Sequence, residues 1–375
     1  MTKSKMSAQE ECTRCNLCVE QCAFLQKYGN PGEIAAAFDC HDKNFLNLPF
    51  ECCLCELCTT MCPAGLNPAK IFLEMRKEVV SCDGFNFSRH KALLDYEKRG
   101  ISKRYTYYAL PRECDTVFFP GCTLAGTRPK QTFRLFNYLR DHFPNIGVVL
   151  DCCSKPSHDL GRHNSFKGNF GEMKHYLEEK GIKTIFAACP GCYKIFKKYG
   201  GSIRVETVYE IMSQKGLPGS NNLSGSVCIH DPCVARSDEK IHTAIRHLVM
   251  STGLHVWEMA HSGKNTLCCG EGGGVNLIDP ELSRNWACLR AAEAHDEKII
   301  TYCAGCCAIL SKVASVCHII DLIFEPQAAI SGRVKVYRTP MTYLNRILLK
   351  RRLKKTVVTA ISRERVNMDK FQNPQ

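Results

Sequence analysis

Two runs of four cysteines fill the first part of this chain. Cys12, Cys15, Cys18 and Cys22 follow C-x2-C-x2-C-x3-C; Cys52, Cys55, Cys58 and Cys62 repeat the spacing, and Pro63 follows the last of them. A loop with a thiol at every third position offers three sulfurs to one side of a small cluster but is too tight to close around the far side. The fourth ligand must come from elsewhere. Zinc sites usually use two C-x2-C pairs with a longer spacer, which these runs fit poorly. The spacing suits two cubane [4Fe–4S] clusters in which the fourth cysteine of each run ligates the other cluster. Cys12, Cys15, Cys18 and Cys62 are assigned to one cubane, and Cys52, Cys55, Cys58 and Cys22 to the other.

Cysteine makes up 26 of 375 residues. A chain of this length does not need disulfides to compensate for a small core. Met1 to Glu11 is polar, without the apolar stretch of a secretory signal. No run approaches the roughly 18 apolar residues of a membrane span. The expectation is a reducing, cytoplasmic setting in which clustered thiols bind metal or carry redox chemistry. The formal charge of +13 is concentrated at the end: residues 326–375 hold 12 Lys/Arg and 2 Asp/Glu. The other 325 residues carry 38 basic and 35 acidic side chains, so no basic groove for nucleic acid is indicated.

Pro31 to Phe38 reads as a short helix opened by proline, and residues 68–80 as a longer one with Ile71, Met75 and Val79 on one face. Residues 1–80 resemble the helical ferredoxin domain of respiratory iron–sulfur subunits, with Ala23 departing from the proline usual after the fourth cysteine. Residues 81–113 form a connector ending in a basic, tyrosine-rich stretch, and aromatics beside clusters are usually packing.

Behind it lies an internal repeat. A strand near 116–119 leads to Cys122, followed by Cys152-Cys153 and Cys189-Pro190-Gly191-Cys192; a strand near 227–230 leads to His230-Asp231-Pro232-Cys233, then Cys268-Cys269-Gly270 and Cys303-Ala304-Gly305-Cys306. The offsets Cys122→233, Cys152→268, Cys189→303 and Cys192→306 are 111, 116, 114 and 114 residues, marking a duplicated unit. Further strands are expected near 147–151 and 184–188, and near 255–259 and 298–302. Helices are expected near 128–142 and 168–180, and near 239–252 and 281–295. The predicted fold is α/β with an N-terminal α-helical ferredoxin domain and duplicated C-terminal α/β units with short parallel sheets, spanning 114–220 and 221–325. Each cysteine landmark sits beyond a strand, where open α/β sheets place ligands.

Two copies of Cys…Cys-Cys-Gly…Cys-x2-Cys behind a helical ferredoxin domain resemble the cysteine-rich CCG family, over residues 8–325. That family includes the catalytic subunit of heterodisulfide reductase and the iron–sulfur subunits of glycolate oxidase and anaerobic glycerol-3-phosphate dehydrogenase. The resemblance implies one or two further, non-cubane [4Fe–4S] clusters in which five thiols serve four irons. Cys233, Cys268, Cys269, Cys303 and Cys306 would form the catalytic site, and Cys122, Cys152, Cys153, Cys189 and Cys192 a second cofactor site. The first unit departs from the pattern with Ser154 where glycine is expected. Glycine there permits positive φ or close approach, so the second unit is the better candidate.

Eight cysteines remain (Cys40, Cys53, Cys82, Cys114, Cys228, Cys288, Cys307 and Cys317) and read as packing, although Cys53 and Cys307 adjoin ligands. His158 and His230 are candidate hydrogen-bond donors to cluster sulfurs. The expected function is that of an oxidoreductase subunit, passing electrons through the cubanes to or from the cysteine-rich sites in heterodisulfide-reductase-like thiol/disulfide chemistry. The alternative is electron transfer between a flavoprotein dehydrogenase of 2-hydroxyacids or glycerol 3-phosphate and quinone; a third is a cluster-based sensor or scaffold. No flavin or nicotinamide fingerprint is present, so a flavoprotein or other redox partner is needed, with a membrane quinone or cytochrome as a further candidate. Residues 326–375 are expected to form a basic tail for peripheral contact with the inner membrane face or for docking.

Overall fold

The structure, a computed structural model, describes residues 9–82, 85–219 and 222–366. Residues 1–8, which hold most of the polar N-terminal stretch, and residues 367–375 of the basic segment lie outside them.

The N-terminal domain is helical. Asn30 and Glu33 form a reciprocal capping box around Pro31, which starts the helix Pro31–Ala37. Asn67 caps the helix Pro68–Ser81, whose Ile71, Met75 and Val79 are buried. On the same helix, Arg76 is fully buried. Its guanidinium donates to the carbonyls of Pro49 (2.8 Å), Cys52 (2.5 Å), Asp159 (2.6 Å) and Gly273 (3.0 Å). One side chain thus joins the second cysteine run to both halves of the duplicated region.

That region contains two sheets. In the first, β2 (Thr116–Phe119), β3 (Gly147–Leu150), β4 (Thr184–Ala187) and β5 (Arg204–Thr207) pair in parallel in the order β3-β2-β4-β5. In the second, β6 (Ser226–His230), β7 (His255–Trp257), β8 (Lys298–Thr301) and β9 (Val316–His318) pair in parallel as β7-β6-β8-β9. The two orders are the same when strands are matched by position in the repeat. β2, β3 and β4 carry Val, Phe, Ile and Leu and are almost wholly buried, as strands covered by helices on both faces must be. Arg128 of the first unit forms a buried ion pair with Asp321 of the second at 2.6 Å. Tyr209 donates to the carbonyls of Ala188 (2.7 Å) and Tyr302 (3.1 Å), bridging the two units.

Two expectations are corrected. The segment 326–366 is not a free basic tail. Its helix Met341–Thr356 buries Thr342, Asn345, Arg346, Leu349, Lys350 and Leu353. Asn345 donates to Gly126 O at 2.9 Å and Lys350 to Lys103 O at 2.7 Å. Then β10 (Ile361–Arg363) pairs antiparallel with β1 (Tyr107–Leu110), itself antiparallel to β3, extending the first sheet to six strands. Arg365 seals this edge by a buried ion pair with Asp151 at 2.7 Å. Lys350 and Arg365 are retained because carbonyls and a carboxylate receive them, whereas Arg346 lies over the rings of Tyr96 and Tyr105. The second correction concerns Cys40 and Cys82, read as packing thiols, which form a disulfide between the loop after the helix Pro31–Ala37 and the end of the helix Pro68–Ser81.

Candidate metal centres

The two N-terminal cysteine runs share one unusual backbone. Arg14 (φ 54°) and Asn16 (φ 61°) in the first run match Leu54 (φ 52°) and Glu56 (φ 62°) in the second, each in the left-handed region. Non-glycine residues held there cost of order 1 kcal/mol each and persist where the surroundings over-determine them. The conformation turns successive thiols inward before the short helices Leu17–Glu20 and Leu57–Met61.

The runs also cross. Burial, with the thiols of Cys12, Cys62 and Cys15 alongside, pushes Cys18 up to about 11. Cys22 instead lies with the second run: burial and Cys55 push it up to about 12. Cys22, Cys52, Cys55 and Cys58 line one small cavity of about 20 Å³, closed on one side by Trp286 of the second unit. The two groups differ in depth. Cys15 is exposed and Cys12, Cys18 and Cys62 are half-buried, whereas Cys52, Cys55 and Cys58 are buried.

In the duplicated region the thiols of each unit converge at the carboxyl ends of its parallel strands. Cys192 and Cys153 lie 3.3 Å apart, Cys122 is within hydrogen-bond reach of Cys152, and Cys189 of Cys192. In the second unit Cys269 and Cys306 lie 3.1 Å apart, while Cys268 reaches Cys233 and Cys269, and Cys303 reaches Cys306. Hydrogen bonding from Cys152, with Arg346 and the Tyr96 hydroxyl alongside, brings Cys122 down to about 5. Hydrogen bonds from Cys268 and Cys306 bring Cys269 down to about 7. Ser154 stands at φ 54° and Gly270 at φ 89° at equivalent places, so the serine adopts the strained geometry that glycine takes freely. A Cβ at Gly270 would meet Ser283 O at 2.2 Å.

Both sets open on one cavity of about 630 Å³, lined by all five thiols of the first set and by Cys233, Cys269, Cys303 and Cys306 of the second. Lys155 and Glu271, three residues after Cys152 and Cys268, occupy equivalent positions on its wall. Lys155 passes against Gly191, and the Glu271 carboxyl against Gly305. Glu271 is exposed yet lies deep in the protein, because the surface it exposes faces this cavity. The second cysteine run reaches the second set directly: Cys53 and Cys55 are each in hydrogen-bond reach of Cys268, and Arg236 donates to Cys55 O at 2.9 Å.

Three neighbours were ambiguous in the sequence. Cys307 faces away from the cavity and accepts from Arg128 at 3.3 Å, so it packs. His158 has both ring nitrogens engaged, by Asp159 (2.8 Å) and Tyr199 (2.9 Å), leaving none for sulfur. His230 is fully buried, receives Arg290 Nε at Nδ1 (3.1 Å) and leaves Nε2 without a partner; burial and Arg290 push it down to about 3. Arg76 and Arg346, the buried cations beside Cys52 and Cys122, could not have been placed there from local sequence.

A 4Fe-4S dicluster domain matches residues 11–67, and a cysteine-rich domain matches residues 116–197 and 227–311. The chain thus carries a 4Fe-4S dicluster domain followed by two copies of the cysteine-rich CCG domain. It is 22% identical over 373 residues to a subunit of the dihydromethanophenazine:CoB–CoM heterodisulfide reductase of Methanosarcina mazei, covering 82% of this chain and 89% of that one. A subunit of the fumarate reductase (CoM/CoB) of Methanothermobacter marburgensis is 24% identical, over 79% of this chain and 66% of its own length. The EtfAB:quinone oxidoreductase of Syntrophomonas wolfei is 22% identical, over 67% and 40%. The chain is accordingly an iron–sulfur electron-transfer subunit related to that of the methanogen heterodisulfide reductase. No described helix is long and apolar enough to cross a membrane.

The residues fit iron–sulfur clusters on physical grounds. Several thiols share each site: burial with repulsion from neighbouring thiols holds Cys52 and Cys58 well above the ordinary thiol range, and hydrogen bonding to neighbouring thiols, reinforced by burial, does the same for Cys233 and Cys306. Such a set ionises together only when a multivalent cation supplies the compensating charge. The strained loops and the unpartnered His230 nitrogen are further signs of a group not made of protein.

Proposed function

We propose that this subunit carries electrons inward from its exposed cysteine run and reduces a disulfide in the shared cavity. Cys12, Cys15, Cys18 and Cys62 would hold an outer cubane, and Cys22, Cys52, Cys55 and Cys58 an inner one. Cys233, Cys268, Cys269, Cys303 and Cys306 would hold a non-cubane [4Fe–4S] cluster, as would Cys122, Cys152, Cys153, Cys189 and Cys192. When bound, these groups supply one-electron transfer at tunable potentials. The reaction breaks one S–S bond with two electrons and two protons, giving two thiols. The observation that carries this reading is the opening of both five-thiol sets onto one cavity, which would place the two substrate sulfurs between them. Arg236, donating to Cys55 O, and Trp286, lining the inner cavity, tie the inner run to the second unit.

The exposed Cys15 side supports docking of a flavoprotein or other redox subunit there. The outward face of the helix Met341–Thr356 carries Met341, Leu344 and Leu348 beside Arg351 and Lys355, supporting a peripheral membrane contact. Flotation with anionic vesicles that survives Leu344→Ser with Leu348→Ser would remove that contact. A second reading, flavoprotein-to-quinone transfer, rests on the likeness to EtfAB:quinone oxidoreductase. The deciding experiment reduces the anaerobic protein, adds glutathione disulfide or cystine, and follows thiol release and the paramagnetic signals. Thiol release dependent on Cys269 supports disulfide chemistry. Oxidation by a quinone analogue alone, with neither disulfide turning over, supports the second reading.

A further inference from the structure

We propose that His230 donates a hydrogen bond from Nε2–H to a sulfur of the second cysteine-rich site and thereby raises that site's reduction potential. The proposal rests on the reading that this site holds a cluster. His230 ends β6, three residues before Cys233, and is fully buried. One of its ring nitrogens lies within 4.8 Å of the sulfurs of Cys269 and Cys306. Arg290 Nε donates to Nδ1 at 3.1 Å. A guanidinium does not give up its proton in proteins, so Nδ1 must offer a lone pair and the neutral ring must carry its proton on Nε2. That nitrogen has no hydrogen-bond partner in the structure, the thiols of Cys269 and Cys306 included, so its proton is left for a sulfur of a group held at the site.

The tautomer is held from behind. Arg290 is fully buried, ion-paired with Glu293 and directed at Ile229 O at 3.5 Å. Ligation of a metal through Nε2 would need the proton on Nδ1, opposing two donors across the contact with Arg290. His230 is therefore a donor to the site and a positioning residue, not a ligand. A donor aimed at sulfur favours the more negative, reduced state, so its removal lowers the potential. The first unit lacks the device: the offset of Cys122→Cys233 places Phe119 opposite His230, and phenylalanine has no N–H to donate.

The test is a redox titration of the anaerobic, cluster-loaded full chain, following the paramagnetic signal that Cys269→Ser abolishes. His230→Leu is expected to lower its midpoint by a factor of about ten in the reduction equilibrium, about 59 mV for a one-electron couple. His230→Gln, which keeps an N–H, should recover most of the difference, and signals dependent on the first site should stay in place. In wild-type protein labelled with 15N-histidine, electron–nuclear double resonance should show a weak histidine 15N coupling and an exchangeable proton. An unchanged midpoint in His230→Leu with the signal intact overturns the proposal alone. So does a strong 15N coupling, which means direct ligation, or the absence of any histidine coupling. Should His230→Leu fail to assemble, the wild-type resonance experiment decides. If the wild type shows no signal dependent on Cys269, the cluster assignment and this proposal fall together.

Discussion

Arg76 is where the N-terminal domain and the duplicated region are most directly joined. Arg76→Met keeps most of the side-chain length and removes the charge with its hydrogen bonds to Pro49, Cys52, Asp159 and Gly273. Hydrogen bonds from a charged group contribute about 1.5–3 kcal/mol each net, so the four sum to about 6 kcal/mol or more. Relief from burying a guanidinium offsets part of that, leaving an expected net loss of about 3–5 kcal/mol. The consequence should also be local, because the four carbonyls lie on three separate segments around the inner cysteine run. Anaerobic urea unfolding, followed in parallel by visible absorbance and far-UV circular dichroism, should show cluster absorbance lost first in Arg76→Met and backbone signal later. Arg76→Lys should recover little, since one ammonium cannot reach four carbonyls in this fork arrangement. A single coincident transition within about 1 kcal/mol of wild type would show that Arg76 does not join the two parts.

Other side chains lend themselves to equally direct tests. Arg365→Ala leaves Asp151 buried without its cation and should cost about 3–5 kcal/mol by thermal or urea unfolding, freeing β10, although the residue lies in a segment that reads as a tail. Gly270→Ala forces a Cβ onto Ser283 O and should eliminate the second site's signal, whereas Ser154→Gly should be neutral or stabilising by up to about 1 kcal/mol. Burial, with Arg76 and Arg89 nearby, pushes His90 down to about 4. The unfolded chain therefore binds more protons between about pH 4 and pH 6.5, and stability falls as pH drops through that window. His90→Gln should flatten this part of a melting-temperature profile; an unaltered slope would exclude His90 as its source.

Much of the fold could be read from local pattern. Helices Pro31–Ala37 and Pro68–Ser81 announce themselves through an Asn cap and an initial proline, and β2, β3, β4, β6 and β8 are short, largely apolar runs leading to cysteine landmarks. The helix expected to begin near 168 begins at His163 and carries Gly168 and Gly171 within it. The C-terminal helix misleads for a physical reason. Its buried face sets Thr342, Asn345, Arg346 and Lys350 beside Leu349 and Leu353, with the partners of Asn345 and Lys350 more than two hundred residues away in sequence, while Leu344 and Leu348 face outward. Hydropathy alone therefore points it the wrong way. The cysteine sets were visible as spacing. The approach of Cys55 to Cys268, the Cys40–Cys82 disulfide and the shared cavity depend on tertiary packing that no local pattern encodes.

If electrons run from the inner cysteine run to a disulfide held at the second cysteine-rich set, the order of events can be watched. The fully reduced, cluster-loaded protein is mixed rapidly with glutathione disulfide or cystine, and freeze-quenched samples of wild type and Cys269→Ser are compared by paramagnetic resonance. In wild type a new signal dependent on Cys269 should appear, followed by reoxidation of both cubanes and release of two thiols per disulfide. Reoxidation of the cubanes at the same rate in Cys269→Ser, with the same thiol yield, would contradict that path.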